Sequence, residues 1–318
     1  MSETTHDGAV AMNHPPPSDD GLSPAELAAK HGLTVSGARP SLPEYARQLW
    51  NRRHFIVAFS RAKLHAQYSQ AKLGQVWQVA TPLLNAVVYF VIFGLILGGR
   101  GTVPGGDDKY VPFLVTGVFV FTFTQTSVMS GVRAISGNLG LVRALHFPRA
   151  ALPISFSLQQ LQQLLYSMIV LAVILVGFGE YPTWSWLLIV PVLILQLCFN
   201  TGLAMIMARL GSATPDLAQL MPFLMRTWMY ASGVMFFIPA MLEKHTSFPH
   251  WVTTVVQVNP AAVYMDLMRF SLIKEYHNTE HMQVLPDHVW ALALGWALVV
   301  GIGGFVFFWR AEERYGRG

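Results

Sequence analysis

Residues 61–97 read RAKLHAQYSQAKLGQVWQVATPLLNAVVYFVIFGLIL, and in this stretch a basic segment runs directly into an uncharged one. No Asp, Glu, Lys, Arg or His occurs from Gln78 to Gly98. About 20 helical residues, at roughly 1.5 Å each, cross the hydrocarbon core of a bilayer. The stretch therefore predicts a membrane-spanning helix that is entered from a basic segment at the membrane surface.

The composition of the whole chain indicates the same class of protein. Hydrophobic residues make up 53% of the 318 residues and charged residues 12%, with a mean hydropathy of +0.42. Soluble domains carry about 25% charged residues, so we interpret the chain as an integral membrane protein. Cys198 is the only cysteine, which excludes a disulfide within the chain and leaves packing as its simplest role.

The first 40 residues carry little that could form a core. They contain a triple proline at 15–17 and many polar side chains, and such a segment cannot bury enough apolar surface to fold alone. We expect a disordered cytoplasmic tail over 1–40, without a cleavable signal peptide. Residues 23–34 faintly resemble the start of a helix-turn-helix, but no second helix follows, so nucleic acid is not an expected partner.

Residues 41–75 have the pattern of a helix in the membrane interface. Apolar residues recur at helical spacing among basic ones, which turns one apolar side toward the membrane. The apolar residues are Leu42, Tyr45, Leu49, Ile56 and Phe59, and the basic ones are Arg47, Arg52, Arg53, Arg61, Lys63 and Lys72.

Six spans are predicted within 76–310, at 77–98, 111–132, 153–178, 185–208, 220–241 and 289–309. Short loops rich in Lys and Arg stay in the cytoplasm. With the N-terminus inside, cytoplasmic segments hold 15 of the 21 basic residues and outer segments hold five. Arg226 in the fifth span is expected to extend its head group to the inner face. We therefore expect a multi-pass protein of the plasma (inner) membrane with both termini in the cytoplasm, including a tail at 311–318.

The outer loop at 242–288 contains VVQVNPAAVYMDLMRFSLI. This stretch is too short and too charged to cross the membrane, yet too apolar to be solvated. A re-entrant or surface-lying helix pair over 250–274 fits best. The dipeptide Asn259-Pro260 would break the pair, because proline disfavours helical geometry at the residue before it.

The sequence offers little for chemistry, so we expect no catalytic, cofactor-binding or metal-binding residues. The polar residues of the spans are mostly neutral amides, which perform no acid-base catalysis. No GxxxxGK[ST] phosphate loop occurs, so any ATP hydrolysis would need a separate subunit. A zinc site is a weak alternative, because the outer-loop histidines are scattered and lack supporting carboxylates. These histidines are His245, His250, His277, His281 and His288.

Four motifs occur in order along 42–309. They are Tyr68, Leu73-Gly74, Trp77 and Pro82-Leu83-Leu84; NLGLVRALHFPRAALP at 138–153; Ser232-Gly233-Val234 with Pro239; and Asn259-Pro260 followed by Arg269. Together they resemble the membrane subunit of ABC-2 type polysaccharide exporters, the family of O-antigen, teichoic-acid and related glycan transporters. The resemblance implies an all-α polytopic fold with an N-terminal interfacial helix, six transmembrane helices and an outer re-entrant helix pair.

The resemblance also assigns roles to three groups of residues. The loop at 133–152 would be the coupling helix on the ATP-binding subunit, and apolar residues on the aqueous side there independently favour a protein contact. The segment before the first span would be a gate helix at the lipid head groups. The coupling residues are Asn138, Leu141, Arg143, Phe147, Pro148 and Arg149; the gate residues are Arg61, Lys63, Tyr68, Leu73, Gly74 and Trp77; the re-entrant residues are Asn259, Pro260 and Arg269.

Two departures from the family pattern have structural consequences. Lys63 and Gln67 stand where the family often has an acidic residue and an arginine, so the family's salt bridge of the gate helix is not expected. Gly233 stands where proline often follows the serine of the third motif, which predicts a straighter fifth span.

The resemblance implies partners and a substrate. Two copies of the chain would form a channel, with two soluble ATPase subunits that hold ATP and Mg beneath it. The substrate would be a polyprenyl diphosphate-linked glycan, and cations of the gate helix would attract either its diphosphate or anionic membrane lipid. Aromatic residues would provide flat faces for sugar rings, although lipid-facing or core positions are the commoner outcome for such residues. The candidate path residues are Tyr89, Phe93, Phe121, Phe123, Trp228 and Tyr230.

Three alternatives remain open at this point. An ABC-2 permease for a small amphiphile or drug shares the six-span plan. A membrane-bound transferase is disfavoured by the near-absence of ionisable groups in the spans. A secondary carrier would show inverted repeats and broken spans with ion ligands.

Overall fold

The structure is a computed structural model, which describes residues 26–27, 30, 40–98, 103–145, 147–238, 240, 255–277 and 288–315. The predicted tail therefore lies almost entirely outside the described residues, as do Pro239, His245, His250 and His281. Within the described residues the chain is helical and has no strand. The predicted all-α membrane fold is confirmed.

The main helices are α1 Leu42–Asn51, α2 Arg53–Gln67, α3 Trp77–Tyr89, α4 Tyr110–Val132, α5 Leu139–Ala144, α6 Ala151–Gly177, α7 Ile189–Ala213, α8 Leu217–Ala231, α9 Pro260–Leu272 and α10 Val289–Trp309. The chain of α3 continues as a π-helix over Phe90–Ile96. Short 3₁₀ turns precede α4, α5 and α7.

Five helical stretches in the described residues are long and apolar enough to cross a membrane. They are Trp77–Ile96, Asp107–Val132, Ala151–Gly177, Trp184–Ala213 and Val289–Trp309. We call the end of the bundle that carries α5 the basic end, and the end where α4 begins the opposite end. The helix α4 lies at the centre, in contact with α3, α6, α7, α8 and α9, and most of its side chains are buried.

The helices α7 and α10 approach each other at backbone distance. A Cβ atom at Gly202 would overlap the backbone at Val300, and one at Gly304 would overlap the backbone at Gly202. Small residues permit such contacts between membrane helices, where van der Waals packing provides much of the association energy.

The prediction of one continuous interfacial helix over residues 41–75 is wrong. Arg52 separates α1 from α2, and α2 ends at Gln67. Turns follow, and Gly74 has a φ of +52°, a backbone conformation in the left-handed region that glycine adopts readily. The gate segment, residues 53–76, is therefore the helix α2 followed by an irregular link to α3.

The prediction of a straighter fifth span over 220–241 is also wrong. The helix α8 has 15 residues and ends at Ala231. Gly233 follows with a φ of +67°, and residues 232–237 are not helical. A glycine in the left-handed conformation is a common way to end a helix, so replacing the expected proline with glycine breaks this segment instead of straightening it.

Candidate functional site

The helix α5 presents apolar side chains at the basic end. Leu139 is 36% exposed and Leu145 is 51% exposed, while Val142 points inward and is buried. Arg143 is exposed beside them, and Leu141 is partly buried. This short helix therefore has an outward surface of leucines and one cation beyond the ends of the membrane helices.

The gate segment contacts the loop that carries α5. The Lys63 Nζ atom donates a hydrogen bond to the Asn138 Oδ1 atom at 3.4 Å. Asn138 in turn donates to the backbone oxygen of Ala134 at 2.9 Å. The rings of Phe55 and Phe147 lie 5.4 Å apart. Residues that the sequence assigned to two separate groups, gate and coupling, thus meet in one place.

Arg149 belongs to a buried polar cluster that sequence reasoning missed. Its guanidinium donates to the backbone oxygen of Glu312, and its backbone N–H donates to the Glu312 Oε1 atom at 3.0 Å. The Tyr45 hydroxyl donates to the Glu312 Oε2 atom at 2.7 Å and accepts from the Ala150 N–H at 3.0 Å. Burial raises the pKa of Glu312 and of Tyr45 above their ordinary values. Arg149 therefore fastens α1 and the chain end after α10 to the start of α6.

We expect Glu312→Ala to lower the free energy of unfolding by about 1–3 kcal/mol, because the buried Tyr45 hydroxyl and the Arg149 N–H would lose their acceptors. The measurement is thermal unfolding of the purified protein in detergent. Glu313→Ala, at the exposed neighbouring position, is the matched control. Equal unfolding midpoints for the two variants would contradict this account of the cluster.

The buried side of α2 packs on a membrane helix. Gln162 of α6 donates to the Ser60 hydroxyl at 3.0 Å, and Gln159 donates to the Gln67 Oε1 atom at 3.0 Å. Ile56, Ser60 and Leu64 are buried there. The expectation that the apolar side of this segment faces lipid is therefore wrong for α2, because amides and hydroxyls fix that side to α6.

The other gate residues lie around the irregular link. Tyr68 follows the last residue of α2, Leu73 is 58% exposed, and Trp77 is the first residue of α3. Arg61 is exposed on α2. The structure thus divides the gate residues between a helix held against α6 and a link with an exposed apolar side chain.

At the opposite end, Asn259 joins the third and fourth sequence motifs. Its Oδ1 atom accepts hydrogen bonds from the Ala261 N–H at 3.1 Å and the Trp228 Nε1–H at 2.9 Å. Its Nδ2 atom donates to the Ser232 hydroxyl at 3.0 Å. Pro260 occupies the first position of α9, where a missing N–H is harmless. One side chain therefore caps α9 and binds it to the end of α8.

Arg269 fills the space beside the break after α8. Only 2% of the residue is exposed. The guanidinium donates to the backbone oxygens of Gly233 and Val234, both at 3.1 Å, and of Phe113 at 3.3 Å. It also pairs with Asp266 at 3.2 Å. Backbone carbonyl groups that have no helical partner at the break thus accept hydrogen bonds from the Arg269 side chain of α9.

A second polar group at this end also escaped sequence reasoning. Lys109 pairs with the fully buried Glu180 and lies 3.5 Å from Glu275. Glu180 accepts from the Lys274 N–H at 3.0 Å. Burial opposes ionisation of Glu180, but the hydrogen bonds from Lys109 and Lys274 hold its pKa below the ordinary value. Burial raises the pKa of Glu275. These contacts fasten the end of α9 to the α6–α7 connection.

The candidate path residues do not share one surface. Phe121 and Phe123 lie in the interior, with 1% and 2% of each residue exposed. Tyr89, Phe93 and Trp228 are partly buried, and the Trp228 ring packs edge-on against Phe121 at 5.9 Å. Tyr230 is 44% exposed. Only part of the predicted set is therefore open to a ligand in this arrangement.

The described part of the chain contains no group of three or more His, Cys, Asp or Glu side chains arranged to hold a metal ion. Of the five outer-loop histidines, only His277 and His288 fall within that part. The His277 ring packs 4.1 Å from the ring of Phe270.

Comparison with known proteins places this geometry in a family. Residues 55–273 match the family model described as ABC-2 type transporter. The O-antigen export system permease protein RfbA of Myxococcus xanthus is 25% identical over 269 residues, which cover 84% of this chain and 96% of that protein. RfbA of Klebsiella pneumoniae is 26% identical over 231 residues, covering 72% and 84% of the two chains.

A relative with a different printed cargo also aligns. The polysialic acid transport protein KpsM of Escherichia coli is 22% identical over 224 residues, covering 70% of this chain and 82% of that protein. The family match covers well over half of the sequence and includes the gate segment, the α5 loop, the break after α8 and α9. This chain is a multi-pass membrane transport protein and belongs to the ABC-2 type transporter family.

Proposed function

We propose that this protein is the permease subunit of an ATP-driven exporter that moves a polyprenyl diphosphate-linked polysaccharide out of the cytoplasm. Two copies would form the passage, and two soluble ATP-binding subunits would sit at the basic end. The basic end would face the cytoplasm and the opposite end the outside of the inner membrane. ATP and Mg would be bound by the partner subunits.

The proposal of an ATP-binding partner rests on the exposed surface of α5. Leu139 is exposed on this helix and Leu145 is exposed directly after it, beyond the ends of the membrane spans. Exposed apolar side chains in such a position favour a protein contact. Lys63 and Phe55 connect the loop to α2, so a movement of α5 would be passed to the gate segment.

The names of the relatives support a glycan as the cargo. Proteins named for O-antigen export and for polysialic acid transport align with 70–84% of this chain. Teichoic-acid and galactan-like polymers belong to the same chemical class. An ABC-2 permease for a small amphiphile is the alternative.

We expect Leu145→Asp combined with Arg143→Glu to uncouple ATP hydrolysis from export while the protein still inserts and folds. A carboxylate in place of a docking leucine would be desolvated without a partner, which weakens the contact with the ATP-binding subunit. The measurement is glycan export together with copurification of that subunit. Arg149 is a poor choice for this test, because its replacement would disturb the buried cluster around Glu312.

Thr214→Asp is the control, since Thr214 is exposed on another connection at the basic end. It should leave export and copurification unchanged. Normal export and copurification by the α5 double variant would remove the docking surface from the proposal.

The cargo is tested by depleting the protein in its host and analysing extracted polyprenyl-linked lipids by mass spectrometry. Accumulation of one long lipid-linked glycan, protected from added glycosidase in sealed right-side-out vesicles, is the expected result. Intact surface glycan without accumulation would contradict the proposal and favour the small-amphiphile exporter.

A further inference from the structure

The outward face of α8 differs in chemistry from its inward face. Met221, Met225 and Met229 are buried at a spacing of four residues. The outward face carries Phe223, which is 68% exposed, and Tyr230. Gln219, Arg226 and Thr227 are exposed beside them. Aromatic, amide, hydroxyl and guanidinium groups thus share this face.

The exposed faces of the other membrane helices are mainly aliphatic, as expected for contact with lipid. Their largest exposed side chains include Leu84, Val87 and Val88 on α3; Leu165, Ile169 and Val173 on α6; and Leu298, Val299 and Ile302 on α10. The exposed surface of α8 also carries Leu220 and Leu224, but it differs from these faces in its amide, hydroxyl and guanidinium groups, which suit a polar ligand or an aqueous passage better than lipid.

Arg226 lies about halfway along the helix bundle, on its exposed surface. It is the tenth residue of α8 and lies two residues before Trp228. Trp228 packs against Phe121, which is the twelfth of the 23 residues of α4. Arg226 is thus level with the middle of α4, about 14 Å from the start of α8. The expectation that its head group extends to the inner face stays a prediction.

The surroundings of Arg226 contain a tyrosine hydroxyl group. Tyr230 is one turn further along the same helix face. Among the described residues Arg226 makes no ion pair. A cation at this depth is costly against lipid and usually marks a functional position.

We propose that Arg226 and Tyr230 form an anion-recognition site for a negatively charged group of the transported substrate. The group is either the diphosphate of the carrier lipid or a carboxylate of an acidic sugar, which share the chemistry of oxygen anions. This inference rests on the proposed function. A guanidinium binds such anions through two parallel hydrogen bonds, and the Tyr230 hydroxyl supplies a further donor.

The test measures binding to the full-length protein in nanodiscs of phosphatidylcholine. The probes are sugar-free polyprenyl diphosphate, an oligosaccharide of sialic acid and a neutral oligosaccharide of equal length. We expect the wild type to bind at least one anionic probe tenfold or more tightly than the neutral one. Arg226→Gln should lose at least tenfold of that affinity, and Arg226→Lys should lose less because it keeps the charge.

Leu220→Ala, at a 52% exposed position on the same helix, is the control and should bind every probe as the wild type does. Loss confined to the diphosphate identifies the carrier lipid as the source of the anion, and loss confined to sialic acid identifies the sugar. Equal anion binding by Arg226→Gln and wild type, or no preference of the wild type for either anion, overturns the inference.

Complementation separates this inference from the proposed function. The depleted host is supplied with either the wild-type or the Arg226→Gln gene, and surface glycan is measured. Failure of the wild type to restore glycan counts against the proposed function. Restoration by the wild type together with unchanged anion binding by the variant counts against the recognition site alone.

Discussion

Arg269→Ala is expected to destabilise the opposite end of the protein by about 3–5 kcal/mol, the loss typical of removing one partner of a buried ion pair. The substitution would remove donors from the backbone oxygens of Phe113, Gly233 and Val234, and would leave Asp266 without its cation. Because total stabilities are about 5–15 kcal/mol, export should fall to a small fraction of wild type. Thermal unfolding and limited proteolysis measure the loss.

Arg269→Lys is the matched variant. Lysine keeps the charge, but its compact ammonium lacks the planar fork that reaches several acceptors. The thermal unfolding midpoint of Arg269→Lys should fall between those of wild type and Arg269→Ala. If Arg269→Ala unfolded at the wild-type temperature, the guanidinium would have no supporting role at the break after α8.

Gly202→Leu is expected to force α7 and α10 apart, at a cost of about 3 kcal/mol or more. The added side chain would overlap the backbone at Val300, which cannot move as a flexible side chain does, and overpacking of this kind is at the upper end of its usual cost. The measurement is the unfolding midpoint in detergent, supported by the yield of folded protein.

Gly303→Leu provides the control. Gly303 lies on α10 close to the same contact, yet a Cβ atom there would meet nothing within 4 Å. The Gly303→Leu variant should therefore unfold near the wild-type midpoint. A similar loss in both variants would attribute the effect to the general removal of glycine instead of to the close approach of the two helices.

The membrane helices were largely predictable because length and lack of charge are local properties of the sequence. The last span was predicted at 289–309, which are the bounds of α10. It was harder to predict which side chains of these helices are buried and which are exposed. Phe121 and Phe123 lie on a helix that is apolar all round and enclosed by other helices, and such a helix carries no periodic signal for its exposed side.

The contacts between distant parts of the chain were beyond the sequence pattern. Tyr45 and Glu312 are 267 positions apart, and neither belongs to a motif that would indicate its partner. The break after Ala231 depends on a glycine conformation and on donors from Arg269, which becomes a neighbour only in the folded chain. Such features follow from tertiary packing, which a single sequence does not reveal.

The hydrogen bonds between α2 and α6 determine whether membrane voltage can act on this contact. Gln159 with Gln67 and Gln162 with Ser60 are pairs of neutral groups. Displacing a charge through the membrane field yields about 2.3 kcal/mol per 100 mV, but breaking or shifting these pairs moves no charge. Membrane voltage therefore performs no work on these hydrogen bonds themselves, and it acts on α2 only through charged side chains such as Arg61 and Lys63.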